Sequence, residues 1–149
     1  MTISGRLLGL DHGLARIGVA VSDPTGFLAR ELTIITRKSK REDFEKINRL
    51  AAEHAVIAFV IGIPGDLDAP EDKFTQADKV RNWVNAFAET TMLPIILWDE
   101  HMTTVDAAEI ARRKGRKVRD HVDDLAARVM LQSYLDAVRD GLAPPPTAP

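Results

Sequence analysis

A continuous apolar run, Val56–Ile61, limits the folds open to this chain more than any other segment. A strand that is apolar at every position must be covered on both faces, as in a parallel sheet. Apolar residues recur at helical spacing before this run, over residues 41–54, and after it, over residues 77–88. The sequence therefore predicts an α/β fold in which a sheet carries helices on both faces.

The first part of the chain has a different pattern. Three short apolar segments, Leu7–Asp11, Ile17–Ser22 and Phe27–Ile35, are separated by turn-forming residues. The turns fall at His12–Ala15 and Asp23–Gly26, which are rich in glycine and short polar residues. Three strands joined by short turns predict an antiparallel meander.

Ile95–Trp98 reads as a fifth strand, followed by a short helix over residues 103–114 and a last helix from Val122. The predicted order is βββαβαβαα, a meander followed by parallel crossovers. We expect a five-stranded mixed sheet with the first strand central. The domain should cover residues 1–140, and the Pro-rich segment 141–149 should be a disordered tail.

The composition narrows the class of protein. A chain of 149 residues with 45% hydrophobic and 28% charged residues fits one globular domain. It contains no cysteine, which excludes disulfides and thiolate metal sites. No apolar run approaches the roughly 20 residues that span a bilayer, and the N-terminus does not resemble a signal peptide. We expect a cytoplasmic protein without a membrane partner.

The positive charges are unevenly distributed. The formal net charge is −2, but two short segments hold half of the 20 Lys and Arg residues. They are Arg37, Lys38, Lys40 and Arg41, and then Arg112, Arg113, Lys114, Arg116, Lys117 and Arg119. Such clusters are typical either of solvated loops or of a focused site for an anionic ligand such as nucleic acid.

Carboxylates stand where two strands end and where the last helix begins. Asp11 ends the first strand, Asp99-Glu100 follow the fifth strand, and Asp123-Asp124 lie in the first turn of the last helix. Each alone is readily explained as a turn, surface or capping residue. Together they predict a site for hard cations such as Mg²⁺ or Mn²⁺, because converging carboxylates repel unless a cation compensates them.

The segment from Asp11 to Ala20 has features typical of a phosphate-binding turn. An acid at a strand end is followed by Gly13 and a returning strand that contains Gly18. Glycines let backbone amides approach a phosphate closely, and Arg16 at the turn could contact it bidentately. A plain hairpin with a surface arginine is the alternative.

An ordered set of short motifs over about residues 7–136 resembles the YqgF/RuvX family. These proteins are Holliday-junction-resolvase-like nucleases implicated in maturing pre-16S ribosomal RNA. The motifs are Leu8-Gly9-Leu10-Asp11 with Gly13, Arg16–Asp23, Val60–Pro64, Ala77–Arg81, Leu97–Glu100 with Thr103-Thr104, Asp123–Ala127 and Leu131–Tyr134.

The resemblance implies a ribonuclease H-like fold and a metal-dependent nuclease. Residue by residue, it places the acids on Asp11, Glu100 and Asp123, which would hold two Mg²⁺ or Mn²⁺ ions. The substrate would be pre-16S ribosomal RNA or branched DNA, and both a monomer and a homodimer remain open. The family usually has Arg at the position of His101, and an apolar residue followed by Asn where this chain has Gly65-Asp66.

The predicted nucleic-acid contacts are Arg16, His101, Lys114, Arg116 and Lys117. The last three belong to the basic segment around Gly115, which we expect to form a mobile flap. Two other functions fit a similar fold: an ATP-binding domain of the actin, Hsp70 and sugar-kinase type, and a non-catalytic RNA-binding protein. The first needs two such domains, for which 149 residues are too few.

Overall fold

The structure is a computed structural model that describes residues 3–64, 75–99 and 123–146. Its elements are β1 (Arg6–His12), β2 (Arg16–Ser22), β3 (Ala29–Thr36), α1 (Lys40–Glu53), β4 (Val56–Ile63), α2 (Gln76–Ala88), β5 (Ile95–Asp99) and α3 (Asp123–Arg139). The predicted helix over residues 103–114 and the basic segment 112–119 lie outside these ranges.

The five strands form one mixed sheet in the order β3-β2-β1-β4-β5. β2 pairs antiparallel with β1 and β3, whereas β4 is parallel to β1 and β5 is parallel to β4. The prediction of a meander followed by parallel crossovers, with the first strand central, is confirmed.

Both faces of the sheet are covered. One face packs on α1 and α2 through a core that includes Leu8, Leu10, Phe44 and Phe87. The other face packs on α3 through a second core; it contains Leu7, Ala20, Val60, Leu131 and Tyr134, among others. The continuous apolar run in β4 supplies side chains to both cores, as its composition requires.

Helix starts follow their capping residues. Ser39 caps α1 by accepting a hydrogen bond from the Glu42 amide at 3.2 Å. Thr75 and Asp78 form a reciprocal capping box at the start of α2. These local signals agree with the predicted helices to within one or two residues.

The start of the predicted disordered tail is instead packed on α3. The Tyr134 hydroxyl donates to the Pro144 carbonyl at 2.7 Å, and the Leu142 amide donates to the Ala137 carbonyl at 2.7 Å. Ala143 is buried against the same helix. These short-range contacts hold residues 142–144 against the end of α3, although the composition of the segment alone favours disorder. None of the helices in residues 3–64, 75–99 and 123–146 is long and apolar enough to cross a membrane.

Candidate active site

Asp11 lies near the carboxyl end of the central strand, between two glycines. It pairs with Gly18 of β2 on one side and with Gly62 of β4 on the other. Neither neighbour has a side chain that could cover the carboxyl group, and Asp11 is half-buried rather than buried. Neither strand neighbour therefore covers the carboxylate with a side chain of its own.

Strand alternation directs Asp11 towards α3. Leu7, two positions before Gly9 on the same strand face, is buried in the core under that helix. A Cβ atom at Gly9 would lie 2.9 Å from the Cβ atom of Leu131 in α3, so only glycine allows the helix this close to β1. Asp11 is the next residue on that face.

The direction of α3 follows from three contacts with β3 and the residues just before it. Arg128 forms a 3.0 Å ion pair with Glu31, Gln132 Oε1 accepts from the Ala29 amide at 2.8 Å, and the Arg139 guanidinium lies 4.9 Å from the centre of the Phe27 ring. The helix therefore runs backwards along β3. β3 is parallel to β1, because both pair antiparallel with β2. The first residue of α3, Asp123, consequently lies at the Asp11 end of the sheet, although its side chain is outside what the structure describes.

β5 ends at the same end of the sheet as Asp11. Asp99, its last residue, pairs with Ile63, one position beyond the Gly62 that neighbours Asp11. Glu100 is the next residue in sequence but lies outside the described ranges, as do His101, Lys114, Arg116 and Lys117. Within those ranges, no three His, Asp or Glu side chains form a group that could hold a metal ion.

The turn between β1 and β2 is tight. The Gly13 amide donates to the Arg16 carbonyl at 2.8 Å, and a Cβ atom at Gly13 would lie 2.6 Å from that oxygen. Glycine is therefore required at this position. Arg16 is exposed and alternates with Gly18 and Ala20, which places it on the face and at the end of the sheet where Asp11 lies.

Arg37 has a structural role that the sequence did not reveal. Its Nη1 donates to the carbonyls of Gly13 at 2.8 Å and Leu14 at 3.1 Å, and its backbone amide donates to the Ala15 carbonyl at 2.9 Å. The sequence suggested a solvated or phosphate-binding residue because Arg37 belongs to a basic cluster. Instead, it fixes the turn that joins Asp11 to Arg16.

His12 points to the opposite face and is buried. Its ring lies 4.7 Å from the Trp83 ring, centroid to centroid. Burial, together with the positive charge of Arg37, lowers the pKa of His12 from 6.5 to about 4. His12 is therefore neutral near pH 7 and adds no positive charge next to Asp11.

The RuvX family model, described as a Holliday junction resolvase, matches residues 5–137. The chain belongs to the RuvX family. A relative from Syntrophus aciditrophicus (strain SB), named "Putative pre-16S rRNA nuclease", is 45% identical over 136 residues, with 89% of each chain covered. A relative of the same name from Thermoanaerobacter pseudethanolicus is 39% identical over 142 residues, which are 91% of this chain and 99% of that one.

Solved structures agree on the fold of this RuvX-family chain. RuvC of T. thermophilus in complex with a Holliday junction substrate superposes with a TM-score of 0.60 at 15% identity, covering 95% of this chain and 99% of that one. The fowlpox virus Holliday junction resolvase gives a TM-score of 0.52 at 11% identity, covering 89% and 99%. At these identities the likeness concerns the fold, and it confirms the predicted ribonuclease H-like architecture.

The two departures from the RuvX-family pattern, His101 and Gly65-Asp66, both lie outside the described ranges. The structure thus brings Asp11, Arg16 and the first residue of α3 to one end of the sheet. The acids at positions 100 and 123 remain predictions as metal ligands.

Proposed function

We propose that this protein is a metal-dependent nuclease that hydrolyses phosphodiester bonds in the 5′-end maturation of pre-16S ribosomal RNA. The observation that carries the proposal is the position of Asp11 between Gly18 and Gly62, at the end of the sheet where α3 begins with Asp123. Membership of the RuvX family and the names of the relatives support the same activity.

The residues at this end suit a hard divalent cation. Asp11, Glu100 and Asp123 would hold it, and all three offer the carboxylate oxygens that Mg²⁺ and Mn²⁺ prefer. Positions 18 and 62, which pair with Asp11, have no side chain that would cover its carboxylate. Two such ions, when bound, activate water and stabilise the leaving oxygen of a phosphodiester.

The chain's own residues position the nucleic acid. Arg16 shares the face of Asp11 and can bind a phosphate with two parallel N–H···O bonds. Arg37 holds the intervening turn and so keeps Arg16 and Asp11 in fixed relation. His101 and the basic residues Lys114, Arg116 and Lys117 would add phosphate contacts from the segment that follows β5.

A second substrate, branched DNA, is favoured by a separate observation. The family model carries the description of a Holliday junction resolvase, and the fold superposes on RuvC bound to a junction with a TM-score of 0.60. Phosphate contacts and metal ligands do not distinguish RNA from DNA, because both present the same phosphodiester.

The test is a cleavage assay with end-labelled pre-16S ribosomal RNA, an unrelated RNA of the same length and a four-way DNA junction. Each is incubated with Mg²⁺, Mn²⁺ or EDTA, and Asp11→Asn serves as the matched inactive control. We expect cleavage of the ribosomal precursor that EDTA and Asp11→Asn both abolish. Cleavage of the junction alone would establish the second substrate, and RNA binding without cleavage under all conditions would refute the nuclease.

A further inference from the structure

A basic groove lies on the other side of the sheet from Asp11, between the edge strand β3 and helix α1. It has a volume of about 660 Å³. Its walls include Thr33 from β3, Lys38 from the connection, and Lys46, Arg49 and Glu53 from α1. Within the described residues, β3 is an edge strand of the sheet.

The cations of this groove differ in their ion pairing from basic residues elsewhere on α1 and on α3. Lys38, Lys46 and Arg49 make no ion pair with any residue in the described ranges. In contrast, Arg41 pairs with Glu45 at 3.4 Å, Arg128 with Glu31 at 3.0 Å, and Arg139 with Asp136 at 2.6 Å. The lining of the groove thus contains three cations and one carboxylate, Glu53. The groove therefore has a net positive charge that an anionic ligand would complement.

The groove starts at the same end of the sheet as the candidate active site. Lys38 follows the last residue of β3, at the carboxyl end of a strand parallel to β1. From there α1 returns to the start of β4, so Lys46, Arg49 and Glu53 lie progressively farther from that end. Lys46 and Arg49 are three residues apart on the helix, and therefore face the same side about 4.5 Å apart along its axis.

We propose that this groove binds the phosphate backbone of the nucleic acid beyond the scissile phosphodiester, through Lys38, Lys46 and Arg49. In this arrangement the nucleic-acid strand passes from the Asp11 end of the sheet to Lys38 and then runs along α1. The proposal rests on the proposed function, because the occupant is the nucleic acid cleaved at Asp11. Its role is to extend the bound length of the substrate, and it contributes no group to the chemistry.

The test measures RNA binding without cleavage. The variant Lys38→Gln/Lys46→Gln/Arg49→Gln is compared with wild type by fluorescence anisotropy, using a labelled RNA in EDTA at several salt concentrations. The slope of log affinity against log salt is negative, and each lost phosphate contact reduces its magnitude by about 0.7 for a single-stranded nucleic acid. We expect the triple variant to lose a slope of about 2 and to bind about tenfold or more weakly at moderate salt.

A second triple variant, Arg30→Gln/Arg41→Gln/Arg81→Gln, removes the same charge from exposed positions outside the groove. It should change the slope much less than the groove variant. A short RNA that reaches only the Asp11 end should bind both triple variants alike, whereas a long RNA should separate them.

The outcomes are distinct from those of the cleavage assay. If the groove variant and the control variant bind long RNA with the same affinity and salt slope, the groove proposal is wrong even if the enzyme cleaves. If the groove variant alone loses affinity, the groove binds RNA even if no cleavage is found. Preferential loss of binding to an acidic peptide, with RNA binding unchanged, would also overturn the proposal.

Discussion

Asp11 and His12 are consecutive residues of β1 whose side chains enter opposite environments. Asp11 is half-buried, lies between Gly18 and Gly62, and faces α3. His12 is buried against Trp83 on the face covered by α1 and α2, and its pKa is lowered to about 4. One side of the strand end carries a half-buried acid, whereas the other holds a buried, uncharged ring.

The comparison shows how one strand can serve both the site and the core. A cation site needs a carboxylate that its strand neighbours do not cover, and Gly18 and Gly62 have no side chains to cover Asp11. The core needs neutral side chains, because a buried charge is destabilising unless it is paired. Arg37 affects both the site and the core. It holds the turn after His12, and its positive charge helps to lower the pKa of His12.

The largest effect should come from Asp11→Asn. The substitution keeps the size of the side chain but removes the charge that would hold a cation, so cleavage should fall by at least about two orders of magnitude. Glu100 and Asp123 should behave alike. Circular dichroism should show an intact fold, and thermal stability in EDTA should be equal or higher, because fewer carboxylates then repel one another.

Asp23→Asn is the matched control. The Asp23 carboxylate accepts hydrogen bonds from the amides of Phe27 at 2.8 Å and Leu28 at 2.7 Å, and its pKa is lowered to about 2. It supports a turn before β3 rather than the site, so its loss should leave the cleavage rate nearly unchanged. An Asp11→Asn protein that cleaves at the wild-type rate would refute the metal mechanism.

The second effect is the pH dependence of stability caused by His12. The folded pKa of about 4 lies below the unfolded value of 6.5, so the unfolded chain binds the proton first as the pH falls. The stability that neutral His12 provides is complete above pH 6.5 and is lost as the pH falls towards 4. The loss should be on the order of 3 kcal/mol, measured by urea unfolding in EDTA between these pH values.

His12→Phe is the control for this pH dependence. Phenylalanine fills the space against Trp83 without a titratable group. The free energy of unfolding of the variant should therefore lack the part of the pH dependence between pH 6.5 and 4 that His12 causes. The variant should keep most of its activity. If wild type and His12→Phe have the same pH profile of unfolding, His12 is not buried in its neutral form.

The third effect should come from Arg37→Gln. Loss of the bonds to the Gly13 and Leu14 carbonyls loosens the turn between Asp11 and Arg16, and small misplacements of reacting groups are costly. We expect kcat to fall by about tenfold with a smaller change in KM, and Arg37→Lys to recover part of it. Removing this charge should also raise the pKa of His12, which NMR titration measures.

Arg41→Gln is the comparison variant for Arg37, because within the described part of the chain Arg41 pairs with Glu45 on the surface of α1. It should leave both kcat and the His12 titration almost unaltered. An Arg37→Gln protein whose defect lies wholly in KM would make Arg37 a direct substrate contact rather than a positioning residue.

Much of the fold follows from local sequence patterns. The change from alternating turns and short strands to helical periodicity predicts the order of the described elements, and strand ends place Asp11 correctly. These signals are local, because strand alternation, helical spacing and capping depend on residues only a few positions apart. The same local signals marked positions 100 and 123, which stay predictions as ligands.

Tertiary structure alone decided which basic residues are free to bind a ligand. Arg37 and Lys38 are neighbours in one basic cluster, yet Arg37 bonds to a turn more than twenty residues earlier in the chain and Lys38 lines an open groove. Composition likewise did not reveal that residues 142–144 contact the end of α3 through the Tyr134 hydroxyl and the Ala137 carbonyl. Sequence composition records which groups can donate or accept hydrogen bonds, but their partners depend on distances that exist only after the sheet and helices have packed.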